Sequence, residues 1–170
     1  MAKYQEPTFT VLKKDGAYEL RRYQPFVSVA TSDSTLRGSG FGRLFSFISG
    51  RNQAAKKMPM TIPVINDTKA QTMEFVLPID MVKASDAPQP LDDQETIKEY
   101  DWQVAAVVRF SGRSTETKLS TQEAMLKAWM TNHGYTPRQD PFIARYNAPM
   151  TPGLLRRNEI IIPIEAPDEA

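Results

Sequence analysis

Apolar and polar positions in this chain follow two periods, and the periods mark its elements. Over residues 17–31, Val27 and Val29 alternate with Ser28 and Ala30, which predicts a strand with one buried face. Pro25 removes a ladder donor inside that stretch and predicts a bulge or an exposed edge. Phe41, Leu44, Phe45 and Ile48 then stand at i, i+3, i+4 and i+7, one stripe of a helix, with Phe47 off the stripe and Gly50 as its C-terminal stop. In 57–64, Met58, Met60, Ile62 and Val64 share one face of a predicted strand. Pro59 and Pro63 place their missing N–H groups along one side of it. Asn66-Asp67 starts a turn, and 73–77 is the return strand.

The same order recurs further on. A long strand is predicted over 96–110, ended by Ser111-Gly112. A helix follows over 120–132, with Leu126, Trp129, Met130 and His133 at the same spacing and Gly134 as the cap. Strands at 142–146 and 159–164 complete the half, joined by a turn holding Pro149 and Pro152. Leu20-x-x-Tyr23 followed by Val27-x-Val29 is echoed by Ile97-x-x-Tyr100 followed by Val104-x-Ala106. The reading is one domain over 1–170, with halves at 17–82 and 95–165 related by an approximate twofold axis. A ligand groove is expected between or across the halves. Residues 1–14 are an extended lead-in before the Asp15-Gly16 turn, and 83–94, rich in proline and aspartate, is the linker. The acidic tail after Pro163 is expected to fray.

Composition narrows the function classes. At 170 residues the chain buries enough surface to fold without a disulfide or metal staple. It has no cysteine, which excludes disulfides, thiolate metal sites and cysteine nucleophiles. Its 21 basic residues stand against 20 acidic ones, spread along the chain, so no concentrated basic face is expected and no nucleic-acid partner. No apolar run approaches the roughly 18 residues of a membrane span. Met1 to Gln5 has no apolar signal core, so the chain as it stands reads as cytoplasmic, or periplasmic if a signal peptide preceded it. A monomer is expected.

Candidate chemistry is sparse. Gly38-Ser39-Gly40-Phe41-Gly42 lies where a phosphate loop would, but its spacing is not G-x-G-x-x-G and no Gly-Lys-Ser/Thr follows. Its glycines are read as letting the chain turn into the helix. His133 is the one histidine, so no zinc pair exists and any triad would depend on it. It is read as a polar residue in the last helical turn, favoured there by the helix dipole, and also as a candidate axial ligand of a haem iron. Met58 and Met60 are read as core or groove lining. Arg156 and Arg157 point to opposite faces, one toward a carboxylate of the protein or of a ligand. Asp92, Asp93 and Glu95 are read as solvated acids. No catalytic set is recognisable.

Taken together, several phrases resemble a known family. They are Tyr18-Glu19-Leu20-Arg21-Arg22-Tyr23-Gln24-Pro25, the run from Gly40-Phe41 through Leu44-Phe45 to Gly50-Arg51-Asn52, Lys57-Met58-Pro59-Met60-Thr61-Ile62-Pro63-Val64, Phe75-Val76-Leu77-Pro78, Tyr146-Asn147-Ala148-Pro149 and Arg156-Arg157-Asn158-Glu159. The chain resembles the SOUL/haem-binding protein family from about Tyr18 to Ile164. The resemblance implies an α+β fold: a distorted antiparallel β-barrel or sheet built from two pseudo-twofold βαββ repeats and flanked by two helices. It implies a non-enzymatic haem or tetrapyrrole carrier or buffer, with the porphyrin held mainly by apolar contacts. The implied porphyrin-facing positions are Arg37, Phe41, Leu44 and Phe45 on and before the first helix, and Met150 and Thr151 in the closing turn. Phe41 and Phe45 replace methionines of some members, and Thr151 replaces a basic residue. The alternative is an effector-sensing or protein-interaction module for another apolar molecule. The enzymatic alternative is a tetrapyrrole-modifying activity.

Overall fold

The computed structural model describes residues 4–33, 40–147 and 151–165. They form nine strands and two α-helices, an α+β fold in which every strand-to-strand ladder is antiparallel. The chain divides into two compact units, one of residues 1–8 and 25–101, the other of 9–24 and 102–170.

The first unit contains β3 (Phe26–Ser32), α1 (Phe41–Ile48), β4 (Val64–Asp67), β5 (Thr72–Val76) and β6 (Thr96–Tyr100). Its strands lie in the order β4-β5-β3-β6. Val27, Val29, Met73 and Phe75 form its apolar face, and Leu44, Phe47 and Ile48 of α1 pack on it. The second unit contains β1 (Phe9–Asp15), β2 (Tyr18–Tyr23), β7 (Val104–Phe110), α2 (Glu116–Asn132), β8 (Phe142–Arg145) and β9 (Asn158–Pro163). Its order is β1-β2-β7-β9-β8, and Leu126, Trp129 and Met130 of α2 cover Leu20, Val104, Ala106, Val108, Ile160 and Ile162. Within each unit the strands form an open sheet, not the closed ring that a barrel would need.

Several element boundaries differ from the periodicity. The 17–31 stretch is two strands that break at Gln24-Pro25, and the 96–110 stretch breaks at 101–103, where Gln103 adopts a positive φ of 58°. After each break the chain enters the other unit: β2 pairs with β7, and β6 pairs with β3. Each compact unit therefore contains the strand that opens the other half as read along the sequence, β2 in the second unit and β6 in the first. Residues 57–63 are not a strand, and only Val64–Asp67 pairs with β5. Prolines at 59 and 63 deny the ladder its donors, so the run Met58, Met60, Ile62 packs without regular pairing. The lead-in supplies β1, which forms a hairpin with β2 through Gly16 at φ 60°. α2 begins one turn before the expected start, because the Thr115 side chain accepts the Lys118 N–H and caps it.

Candidate functional site

The outward flank of α1 is the first candidate. Leu44, Phe47 and Ile48, at i, i+3 and i+4, are the side chains that α1 buries. Leu44 is wholly buried, so it is core and cannot face a ligand directly. Phe47, which the stripe left out, is buried as well, while Phe41 is 40% and Phe45 50% exposed. The stripe spacing fits two adjacent helix faces, and only packing on the β3–β5 surface selects which one turns inward. The Phe41 and Phe45 rings stack at 6.3 Å with 13° between their planes, and Phe41 sets its edge against Phe75 at 5.0 Å. This is an apolar shelf held by one turn of helix and anchored through Phe75 to the sheet.

The backbone keeps that shelf close to the strands. A Cβ on Gly40 would lie 2.6 Å from Thr31 Cγ2, so only glycine lets the start of α1 approach β3 this closely. No atom comes within 4 Å of the position a Cβ would take at Gly42, so the helix is open there. At the other end, Asn52 donates to the carbonyls of Phe47 and Lys56 and accepts the Lys56 N–H, which fixes the exit from α1. Gly50, at φ 116°, follows the cap as its position suggested.

The remaining expected site residues are not gathered there. Arg37 and Met150 lie outside the described residues. Thr151 is half-buried in the second unit, where its carbonyl accepts Arg156 Nε at 2.9 Å, just before the well-exposed Leu154 and Leu155. His133 caps the C-terminus of α2 and is exposed, a polar residue at the helix end as its sequence position suggested. Its Nδ1 donates to the Trp129 carbonyl at 2.8 Å, so Nε2 is the ring nitrogen turned to other partners. The ring rests on Trp129 at 4.6 Å and on Tyr135 at 6.0 Å. Among the described residues no group of three or more acidic or histidine side chains could hold a metal ion. None of the described helices is long and apolar enough to cross a membrane.

The opening and closing motifs meet in a buried ion cluster of the second unit, on the sheet face away from α2. Arg21 donates to both oxygens of Glu159, at 2.8 and 2.7 Å, to Glu19 at 2.7 Å and to the Tyr23 hydroxyl at 2.8 Å. Tyr146 donates to Glu159 at 2.6 Å, and Arg157 pairs with the same carboxylate at 3.2 Å while lying 3.7 Å over the Tyr146 ring. Burial acts to raise the Glu159 carboxyl, but the hydrogen bonds and charge of Arg21, with Arg157 and Tyr146, outweigh it and hold the group below its ordinary value. Burial pushes the Tyr146 phenol well above its usual range, and the Glu159 charge adds to that. Arg157 Nε and Nη2 both donate to Glu159, the pairing with a carboxylate of the protein that the sequence allowed for one of the two arginines.

A parallel cluster was not foreseen from sequence. Glu74, fully buried on β5, accepts from Ser28, Thr72, Tyr100 and Lys98 at 2.6–2.8 Å. Lys98 also meets Asp67 at 3.3 Å. One signal existed in the chain: Glu74 sits inside an otherwise apolar strand, and a buried carboxylate needs partners. Glu95 is a further correction. It is buried and not solvated, paired with Arg51 at 3.3 Å, and its carboxyl is raised by burial and by the nearby Asp92.

With this geometry in hand, comparison places the chain among known proteins. Human heme-binding protein 2 is 30% identical over 157 residues, spanning 84% of this chain and 75% of that protein. Heme-binding protein 1 of Xenopus laevis is 28% identical over 162 residues, spanning 87% and 84%. A crystal structure from Listeria innocua, described as a hydrolase, shares the fold at a TM-score of 0.58 over 91% of this chain and 94% of that one. Its identity is 7%, so the likeness concerns the fold alone. The family model of the SOUL heme-binding proteins matches residues 4–163, and the chain belongs to that family.

Proposed function

We propose that this protein binds haem or a related tetrapyrrole on the outward flank of α1 and acts as a non-enzymatic carrier or buffer. The observation that carries the reading is the exposed, stacked Phe41–Phe45 pair on a helix whose other apolar residues are buried. A porphyrin is a wide apolar plate, and two exposed aromatic rings anchored to a rigid sheet suit its face. Phe41 and Phe45 cover the plate and exclude water from it, while Leu44 acts from beneath by holding the helix in place. Haem, when bound, supplies an iron centre. The apolar shelf supplies contact area and no metal bond, so metal-free protoporphyrin should bind nearly as well as haem. We also read the two units as copies of one βαββ pattern that exchange their opening strands.

The test is a titration of the purified protein with haem, followed at the Soret band, and with protoporphyrin, followed by fluorescence. Saturable binding of both with similar affinity supports the reading. Absence of saturable binding to either refutes it. Analysis of the pigment after prolonged incubation checks the non-enzymatic part, because unchanged pigment is the expected product.

A further inference from the structure

A half-open cavity lies in the first unit and differs in chemistry from the phenylalanine shelf. Its volume is about 360 Å³. Its wall carries no apolar side chain larger than Ala30. The polar lining comes from the ends of β3, β5 and β6 and from α1: Ser32, Thr72, Thr96, Gln94, Arg43 and Asp93 are the groups a ligand could use.

The bonding state of these groups selects a ligand class. Lys98 also lines the cavity, but its charge is met by Glu74 at 2.8 Å and Asp67 at 3.3 Å, so it offers little to an incoming anion. Arg43 differs. Its Nη1 donates to Thr31 Oγ1 at 2.7 Å, and Thr31 in turn donates to the Gln94 carbonyl at 2.8 Å. That chain orients the guanidinium and leaves Nε and Nη2 without an acceptor among the described residues. Among the described residues no carboxylate is in direct ion-pair contact with Arg43, although the buried Glu95, whose Oε1 is paired with Arg51, is near enough to feel its charge. A planar, oriented guanidinium with free N–H groups matches a carboxylate. The hydroxyls of Ser32 and Thr96 and the Gln94 side chain match hydroxyl groups, the Thr72 hydroxyl, which donates to Glu74, can still accept from one, and the exposed Asp93 carboxylate can accept from another.

We propose that this cavity binds a small hydroxylated carboxylate of the sugar-acid type, with Arg43 holding the carboxylate and the threonine, serine and glutamine side chains reading the hydroxyls. The site is separate from the tetrapyrrole shelf and does not depend on it.

The experiment is an amide NMR titration of the whole protein with D-gluconate. Sorbitol, which lacks the charge, and hexanoate, which lacks the hydroxyls, serve as matched probes. The expected result is saturable shifts at Ser32, Thr72 and Thr96 with gluconate, and at least tenfold weaker effects with the other two. Arg43→Gln should weaken gluconate binding by about 10- to 100-fold, the range for loss of a charge-assisted contact. It should leave the haem titration unchanged. If that variant folds poorly, Arg43→Lys keeps the charge without the fork, and Thr96→Val removes one hydroxyl at constant shape; each should weaken gluconate severalfold. Absence of saturable shifts with gluconate overturns the proposal, as does sorbitol or hexanoate binding equally well. Full affinity in the Arg43 variants also overturns it.

Discussion

Phe45→Ala is the sharpest test of the tetrapyrrole shelf. The Phe45 side chain is half exposed. A phenylalanine presents about 200 Å², so about 100 Å² of it is open to be covered by a ligand. At about 25 cal/mol per Å² that area is worth about 2.5 kcal/mol, or about 60-fold in affinity, when fully covered. The alanine that remains keeps some contact, so the expected loss is about 10- to 60-fold for both haem and protoporphyrin. Stability should hardly move, because the ring is not among the residues the core cluster buries. Leu44→Ala is the opposite case. Leu44 is fully enclosed, and its truncation should cost about 2–5 kcal/mol in a urea melt while touching no ligand. The assay is a pair of Soret and fluorescence titrations, with circular dichroism melts of both variants. If Phe45→Ala binds both pigments as tightly as the parent protein, the shelf does not carry the ligand and the reasoning fails.

Three further outcomes follow from the geometry. The Glu159 carboxyl is held below its ordinary value of 4.5 in the folded protein, so its contribution to stability is present above about pH 4.5 and fades as pH falls through the folded value. Glu159→Gln should cost about 3 kcal/mol at neutral pH, because buried Arg21 is left with Glu19 as its remaining carboxylate partner, and should flatten the acid limb of stability measured by denaturant melts; an unchanged acid limb would show that Glu159 is not the linked group. His133→Ala should leave the haem Soret band unaltered if iron takes no protein ligand, whereas a shifted band would assign His133 Nε2 as that ligand. Gly40→Ala forces a Cβ onto Thr31 Cγ2 and should lift the start of α1, lowering both the melting temperature and pigment affinity; a variant equal to the parent in both would mean the close approach has no consequence.

The local elements could be read from the chain because their causes are local. The i, i+3, i+4 spacing placed both helices, and the glycines at 16, 50 and 134 marked turns that adopt positive φ. The family phrases were equally legible because they are short runs, and the opening and closing ones meet in one ion cluster, to which Glu19, Arg21 and Tyr23 contribute from one and Tyr146, Arg157 and Glu159 from the other. Tertiary packing decided the rest. Phe41, Leu44, Phe45 and Ile48 satisfy one helical stripe, yet so do Leu44, Phe47 and Ile48, and periodicity cannot rank two faces that are both apolar. The β3–β5 surface chose the second and left two rings outside. Likewise no pattern in the chain says that β2 pairs with β7 and β6 with β3, because strand partnership is a long-range choice made by the surface each strand can bury. Glu74 and Glu95 took their roles from neighbours brought in by that choice. A charge shows in its own sequence position, but its partner, or the lack of one, exists only after the strands are paired.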